Sequence, residues 1–339
     1  MTHLSAVPGV LLVLLVATLV LPGHLEALGT ETGASTLPSG TGQRWLHLLA
    51  TVLLLGIVSF RYGALRYLGE KDSGLQVRER ANRNLVRIGW VAGAVLVLTL
   101  VTRLQQRLGE LADAGGGGWE YLPHLLFRTG WGGGWFIHLG ATVLAFTGLV
   151  LIRRGGETGR GWGILTGAAI LLPLILAFQG HAMASPLRQV AIPLLYLHVA
   201  GVGIWLGGLL VLILAGLPAV RKLKDAGGGL PPLARLVNGF SRVALVAVTL
   251  LVLTGVLTSL IQGGGLGATW ESGWGRTLAL KLGLVGAAFL MGFYNWRKVR
   301  PGLSSNPDPS QLRIPASVEA VLGLLVLLAT AVLVALPLP

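Results

Sequence analysis

The chain has 339 residues, of which 53% are hydrophobic and only 12% are charged. Soluble domains carry roughly 25% charged residues, and the mean hydropathy here is +0.74, so the composition indicates an integral membrane protein. The net charge of +13 does not indicate a nucleic-acid partner, because the basic residues follow the loop pattern of a membrane protein. Cysteine is absent, which excludes disulfides and thiolate metal ligands.

Nine apolar segments are long enough to cross a bilayer core of about 30 Å as helices of about 20 residues. Their hydrophobicity is continuous rather than alternating, which predicts helices and not a β-barrel. The predicted spans are Leu4–Leu21, Arg44–Leu65, Leu85–Leu104, Gly134–Ile152, Trp162–Gly180, Ile192–Leu217, Phe240–Ile261, Arg276–Trp296 and Ala316–Leu336. The predicted fold class is therefore an all-α integral membrane protein.

The first segment has two interpretations. It lacks a basic stretch before its apolar run and has only a weak cleavage signal, so an uncleaved span is favoured over a signal peptide. Residues 1–43 are then an N-terminal span followed by an outer loop.

Basic residues are concentrated in every second loop, and such loops stay on the cytoplasmic side of a membrane. This pattern predicts a cytoplasmic N-terminus and a C-terminus outside the cytoplasm. The basic loops contain Arg61, Arg66, Lys71, Arg78, Arg80, Arg83, Arg87, Arg153, Arg154, Arg160, Arg221, Lys222, Lys224, Arg235, Arg242, Arg297, Lys298, Arg300 and Arg313.

An internal repeat divides the remaining spans into two halves. The segment "WLHLLATVLLLG" from Trp45 resembles "YLHVAGVGIWLG" from Tyr196, and "GWGGGWFIHLGATVLAF" from Gly130 resembles "GWGRTLALKLGLVGAAF" from Gly273. We therefore predict two parallel repeats, residues 44–189 and 190–339, each forming an up-down four-helix bundle. The spacing of Gly203 and Gly207 predicts close packing of the sixth span against a neighbour.

Six of the seven histidines map to the outer face or just below it, and the exception is His3. Four of them lie on or at the ends of predicted spans, where ionisable groups usually face the bundle interior and mark function. These four are His47, His138, His181 and His198. The other two, His24 and His124, lie in outer loops.

Two cofactor interpretations follow from these histidines. Imidazole suits copper, and Met183, two residues after His181, could add a thioether that favours Cu(I). The predicted metal ligands are therefore His47, His138, His181, His198 and Met183. Alternatively, His47 and His138 could hold a b-type haem as paired axial ligands within one bundle, making the protein an electron carrier. A third interpretation is a structural or assembly subunit of a larger membrane complex.

Other charged or polar groups give weaker signals. In the repeat, His47 corresponds to His198, but His138 corresponds to Lys281. The two halves therefore do not carry equivalent sets of candidate ligands. Glu319 maps to the inner side, where it is expected to be an acid at a helix N-terminus. No Ser-His-acid or paired-carboxylate arrangement lies on one side of the membrane, so we do not predict an enzyme.

Several segments resemble the CopD family of copper-resistance and copper-import membrane proteins. They are "GHAMAS", "LYLHVAGVGIWLGGL", "FSRVALVAVTLLVLTGVL", "WGRTLALKLGLVGAAFLMGFYNWRKVRP" and "SVEAVLGLLVLLATAVLVALP". The resemblance is strong over residues 178–337 and weaker over 44–177, and His181 and His198 are the positions that match the family pattern. It implies a bacterial inner-membrane protein that handles periplasmic copper, often beside a soluble CopC-like copper-binding partner. Against the family pattern, methionine is scarce, and we expect no fused CopC-like domain, because the segment before residue 44 reads as one span and a short loop.

Overall fold

The computed structural model describes residues 38–69, 72–155, 159–179, 185–221, 231–262, 272–301 and 309–336. Within these ranges the protein is helical and contains no strand. Eight of the helical segments are long and apolar enough to cross a membrane. They are α1 (Thr41–Tyr67), α2 (Asp72–Asp113), α3 (Gly130–Gly155), α4 (Gly159–Gln179), α5 (Arg188–Arg221), α6 (Pro231–Gln262), α7 (Gly273–Val299) and α8 (Pro309–Leu333). A short helix, Leu122–Arg128, precedes α3.

These eight helices correspond to the second to ninth predicted spans, and the first, Leu4–Leu21, lies outside the described residues. The largest difference is α2, which has 42 residues where Leu85–Leu104 was predicted. A helix of that length measures about 63 Å, roughly twice the thickness of a bilayer core. The hydropathy pattern locates only the membrane-embedded part, because helical hydrogen bonding continues into polar sequence at both ends.

The centre of the molecule is the crossing of α1 and α5. Gly56 of α1 packs directly on the backbone of Gly207 in α5, and a Cβ at either position would collide with the other helix. One turn earlier in α5, Gly203 packs against the side chain of Leu55. The close packing predicted from the Gly203–Gly207 spacing is therefore present, because two glycines in register let the backbones touch.

The contacts around this crossing are reciprocal between the two predicted halves. Helix α4 packs against α5, and α8 packs against α1. Similarly, α2 contacts the C-terminal part of α5, and α6 contacts the C-terminal part of α1. The α1–α5 pair is thus shared between the halves, which are interlocked through it.

Two opposite ends of the helix bundle are distinguished by their polar contacts. At one end, here called the basic side, Arg61 hydrogen-bonds Asn82 and Arg300 hydrogen-bonds Asn238. The guanidinium of Arg61 also lies 4.0 Å from the centre of the Trp162 ring. The opposite end carries the two buried histidines and is called the histidine side.

Three of the eight helices contain π-helical turns. The π-helical turns are Phe60–Ala64 in α1, Gly203–Gly207 and Leu212–Gly216 in α5, and Asn295–Val299 in α7. Such turns are rare and are frequent at functional sites. Two of them contribute side chains to a buried polar cluster described below.

Candidate metal site

His47 and His138 lie against each other on the histidine side. His47 is in the second turn of α1 and His138 in the third turn of α3, and their ring centres are 4.5 Å apart in an edge-to-face arrangement. Their exposed fractions are 3% and 1%. The sequence places both residues at the outer face or just below it, and the structure brings their rings into direct contact.

The ring nitrogens of this pair have almost no hydrogen-bond partners. Both Nδ1 and Nε2 of His47 and Nε2 of His138 are buried and unpaired. Buried polar atoms in proteins are nearly always hydrogen-bonded, and an unpaired one is costly. These two imidazoles can offer a metal ion one nitrogen each, because the two nitrogens of a single ring point in different directions and one of them carries a proton in the neutral form.

The hydroxyl of Thr51 is a fourth unpaired atom close to this pair along the chain. Thr51 lies one turn after His47 on the same face of α1, is fully buried, and has no partner for Oγ1. Thr142, one turn after His138, donates instead to the His138 carbonyl.

Neighbouring hydrogen bonds hold the helices that carry the pair. Gln43 of α1 donates to the carbonyl of Thr99 in α2, and Trp135 of α3 donates to the carbonyl of Leu100, also in α2. Trp45, two residues before His47, donates to the carbonyl of Leu324 in α8. These bonds connect α1 and α3 to α2, and α1 to α8, near the level of the imidazoles. They therefore hold the two helices that carry the ring contact in place.

Arg103 of α2 is the charged group that acts on this pair. It lies close enough to interact electrostatically with both His47 and His138. A positive charge beside two imidazoles opposes the binding of a cation there. A metal ion would therefore be held less tightly at this place than the ligand set alone predicts.

His198 occupies a different environment in the second half. Its Nδ1 lies 3.1 Å from the hydroxyl of Thr254 in α6, and a Cβ at Gly255 would come within 3.3 Å of its ring. Lys281 of α7 interacts with it electrostatically. Lys281 is thus within electrostatic range of His198, and it occupies the repeat position that corresponds to His138.

The other predicted ligands are not brought to this pair by the described structure. His181, Met183 and His24 lie outside the described residues. His124 is exposed and stacks on Tyr121. Across the described ranges, no group of three or more His, Asp or Glu side chains is arranged to hold a metal. The five-ligand site therefore stays a prediction.

The haem interpretation does not fit the observed arrangement. Two axial histidines must stand on opposite faces of a porphyrin. The rings of His47 and His138 touch each other, which leaves no space for a porphyrin plane between them. A haem at this pair would require α1 and α3 to move apart.

Glu319 is a residue whose environment the sequence did not predict. It was expected at a helix N-terminus, but it lies ten residues into α8 with an exposed fraction of 6%. Its carboxylate accepts hydrogen bonds from Trp205 of α5 and Asn295 of α7. The aligned halves carry no equivalent acid, so the repeat gave no signal for this cluster.

The fold and the buried imidazole pair define a helical membrane protein with a candidate metal site near one membrane surface. Comparisons with known proteins identify the family. The family model for copper resistance protein D matches residues 234–333, and the model for the copper resistance protein D-like N-terminal domain matches residues 36–186. The chain belongs to the CopD family of copper-resistance membrane proteins.

One curated relative extends the match across most of the chain. The copper transport protein CutJ of Bacillus subtilis (strain 168) is 27% identical over 316 residues, which are 89% of this chain and 53% of CutJ. The chain therefore spans about half the length of that relative. No solved structure matches this chain. The family resemblance predicted from the sequence is confirmed over both halves.

Proposed function

We propose that this protein captures copper between His47 and His138 on the histidine side of the membrane and transfers it for import or tolerance. The observation that carries the proposal is the set of three unpaired, buried nitrogens on two touching imidazoles. Imidazole is a good copper ligand, and the family models and the relative CutJ are named for copper. Copper is the cargo in this proposal.

Further ligands complete the site. Two imidazoles alone leave positions open on a copper ion, and His181 with Met183 follow the last residue of α4, Gln179, by two and four positions. Helix α4 packs along both α1 and α3, the helices that carry His47 and His138. We propose that His181 and Met183 join the pair, and that His198 forms a separate position in the second half.

Arg103 supports transfer rather than storage. A storage site is expected to maximise affinity, whereas the positive charge of Arg103 lies within electrostatic range of both imidazoles. A weakened site releases its ion more readily, because most differences in affinity arise in the dissociation rate.

The architecture that accompanies this function is a pair of parallel repeats, residues 44–189 and 190–339, after an N-terminal segment of residues 1–43. The reciprocal contacts of α4 with α5 and α8 with α1 support a pseudo-two-fold axis through Gly56 and Gly207. The basic loops support an inner-membrane orientation with the histidine side outside the cytoplasm. A periplasmic CopC-like protein is the proposed source of the copper, and a non-enzymatic role follows from the absence of any catalytic arrangement in the sequence patterns.

The experiment replaces both imidazoles with leucine, as His47→Leu with His138→Leu. Leucine fills the same space and removes the unpaired nitrogens, so the fold is expected to persist with equal or higher thermal stability. Copper bound to the purified protein in lipid nanodiscs is measured by metal analysis and equilibrium dialysis. We expect the wild-type protein to bind copper and the double variant to lose most of it.

The matched control is His124→Gln, which changes an exposed histidine on the same side of the membrane. It is expected to bind copper like the wild type. Unchanged copper in the double leucine variant would refute the site. A Soret band in the wild-type protein that disappears in the double variant would instead establish the haem interpretation.

A further inference from the structure

Another buried polar cluster among the described residues surrounds Glu319. Its Oε1 lies 3.2 Å from the indole nitrogen of Trp205, and its Oε2 lies 2.8 Å from the amide nitrogen of Asn295. Gly292, one turn before Asn295, faces the carboxylate, and a Cβ there would come within 3.2 Å of Oε1. Three helices, α5, α7 and α8, thus converge on a single carboxyl group.

No cation is paired with this carboxyl group among the described residues, and both of its hydrogen-bond donors are neutral. The charged groups of the packed helices lie further along their axes. At 1.5 Å per residue, Arg313 is about 9 Å before Glu319 in α8, and His198 is about 10 Å before Trp205 in α5. In α7, Lys281 is about 21 Å before Asn295, while Arg297 and Lys298 follow it at the basic end. Helix α1, which packs on α8, has its charged or titratable groups at Arg44, His47, Arg61, Arg66 and the neighbouring tyrosines.

One acceptor atom in the cluster has no hydrogen-bond donor. The amide oxygen Oδ1 of Asn295 is buried and has no partner, although its nitrogen donates to Glu319. An ionised carboxylate can only accept hydrogen bonds, whereas a protonated one donates through its O–H. A proton on Glu319 would supply the donor that Asn295 Oδ1 lacks once the amide turns to present Oδ1 instead of Nδ2 to the carboxyl group.

The local backbone is also unusual. Trp205 lies in the π-helical turn Gly203–Gly207, and Asn295 begins the π-helical turn Asn295–Val299. Both donors to Glu319 are thus carried by segments in which the helical hydrogen-bond ladder is displaced, a feature often found at functional sites. Ionisable residues inside a membrane usually have a function, because they are energetically costly to keep there.

We propose that Glu319, with Asn295 and Trp205, is a proton-binding site that exchanges its proton as copper crosses the membrane. In the resting state the carboxyl group is protonated and donates to Asn295. When the cation arrives, the O–H bond of Glu319 breaks, the carboxylate keeps the electron pair, and the proton passes to water. When the cation leaves, Glu319 takes a proton back from water. This proposal rests on the proposed copper function.

The cluster lies between the candidate copper site and the basic side. Glu319 follows the first residue of its span, Gln311, by eight residues, or about 12 Å. Trp205 lies beyond His198 towards the basic side. An ionised Glu319 would balance the charge of a cation at this depth. The described residues offer no other acidic group there.

The test is infrared difference spectroscopy of the full chain in lipid vesicles, comparing samples before and after addition of copper(II) chloride, with and without ascorbate as reductant. In the copper-free wild type at neutral pH we expect a carboxylic acid C=O band that shifts in D2O. Copper is expected to decrease this band. In Glu319→Gln, a neutral residue of the same shape, the band is expected to be absent.

Two further variants make the assignment specific. Glu110→Gln removes an exposed carboxylate that pairs with Arg107, and it is expected to leave the band unchanged. Trp205→Phe removes one donor to Glu319 and is expected to shift the frequency of the band without abolishing it. A band that arose from another carboxyl group would not shift in this variant.

Equilibrium dialysis of copper on the same samples separates the two proposals. If the wild type and Glu319→Gln both bind copper normally and copper does not change the carboxylic acid band of the wild type, this inference is overturned and the proposed function stays intact. Absence of copper binding in the wild type refutes the proposed function instead. Absence of the carboxylic acid band from the copper-free wild type overturns the proton site by itself.

Discussion

Gly56 and Gly207 touch backbone to backbone where α1 crosses α5, and the two residues occupy equivalent positions in the internal repeat. A contact between equivalent residues is the geometry expected at a two-fold axis, since rotation exchanges the partners. The candidate site pairs, His47 with His138 and His198 with Lys281, belong to opposite halves of this arrangement. The glycine contact therefore fixes how the His47–His138 pair is placed relative to the His198–Lys281 pair.

Gly56→Ala is expected to destabilise the protein strongly. The added Cβ would collide with backbone atoms of Gly207, which cannot rotate away as a side chain could. Overpacking typically costs 1–3 kcal/mol, and we expect about 3 kcal/mol here because backbone must move. The measurement is the thermal unfolding temperature in detergent.

Gly167→Ala is the matched control, since nothing lies within 4 Å of a Cβ at that position of α4. Alanine favours a helix over glycine by about 1 kcal/mol, so this variant is expected to be unchanged or slightly more stable. Equal behaviour of the two variants would contradict the close α1–α5 crossing.

Arg103→Gln is expected to strengthen copper binding at the histidine pair. The guanidinium acts electrostatically on both imidazoles, so it also repels an ion held between them. A unit charge several ångströms away contributes about 2 kcal/mol at an effective dielectric constant of 20. The expected gain in affinity is therefore roughly thirtyfold, measured by competition against a copper chelator.

Arg107→Gln provides the comparison, because Arg107 lies one turn further along α2 and pairs with Glu110 at 2.9 Å. This exposed pair is expected to leave the copper affinity within about twofold of the wild type. A lower copper affinity in Arg103→Gln would show that Arg103 organises the site rather than opposing the ion.

The sequence predicts the spans well because continuous hydrophobicity is a direct requirement of crossing lipid. It places helix ends poorly, as α2 shows, because lipid exposure and helical hydrogen bonding end at different residues. It also gives no sign that Trp45 is buried and donates a hydrogen bond to the Leu324 carbonyl. Hydropathy does not distinguish a tryptophan facing lipid headgroups from one facing another helix.

The candidate site is predicted in part. Topology places His47 and His138 at the same depth, and the structure adds their contact and their unpaired nitrogens. The Glu319 cluster could not be predicted, because its three members come from α5, α7 and α8 and share no sequence pattern. Such a cluster is visible only after the helices have been packed.

Met183→Leu is expected to lower the affinity for Cu(I) while leaving the affinity for Cu(II) nearly unchanged. A thioether is a soft ligand that favours Cu(I), and leucine keeps the size of the side chain without the sulfur. We expect about a tenfold loss for Cu(I), or about 1.4 kcal/mol, measured with separate probes for the two oxidation states. Met291→Leu changes a methionine of α7 and serves as the control. Equal Cu(I) affinity in all three proteins would exclude Met183 from the site.

Lys281→His is expected to create an additional copper site in the second half. The repeat aligns Lys281 with His138, and Lys281 lies within electrostatic range of His198, the histidine of its own half. The substitution removes a repelling ammonium and supplies a second imidazole, so the second half regains the ligand pair of the first. Metal analysis is expected to show one more copper ion per protein than in the wild type.

Lys281→Gln removes the same charge without adding an imidazole, and it separates the two effects of the substitution. If charge alone limits binding at His198, both variants should gain copper. If the missing imidazole limits it, only Lys281→His should do so, and this is the outcome we expect, because one histidine with the Thr254 hydroxyl is a poor copper ligand set. Wild-type copper content in Lys281→His would show that the second half does not share the geometry of the first, and the pseudo-two-fold relation of the two sites would have to be abandoned.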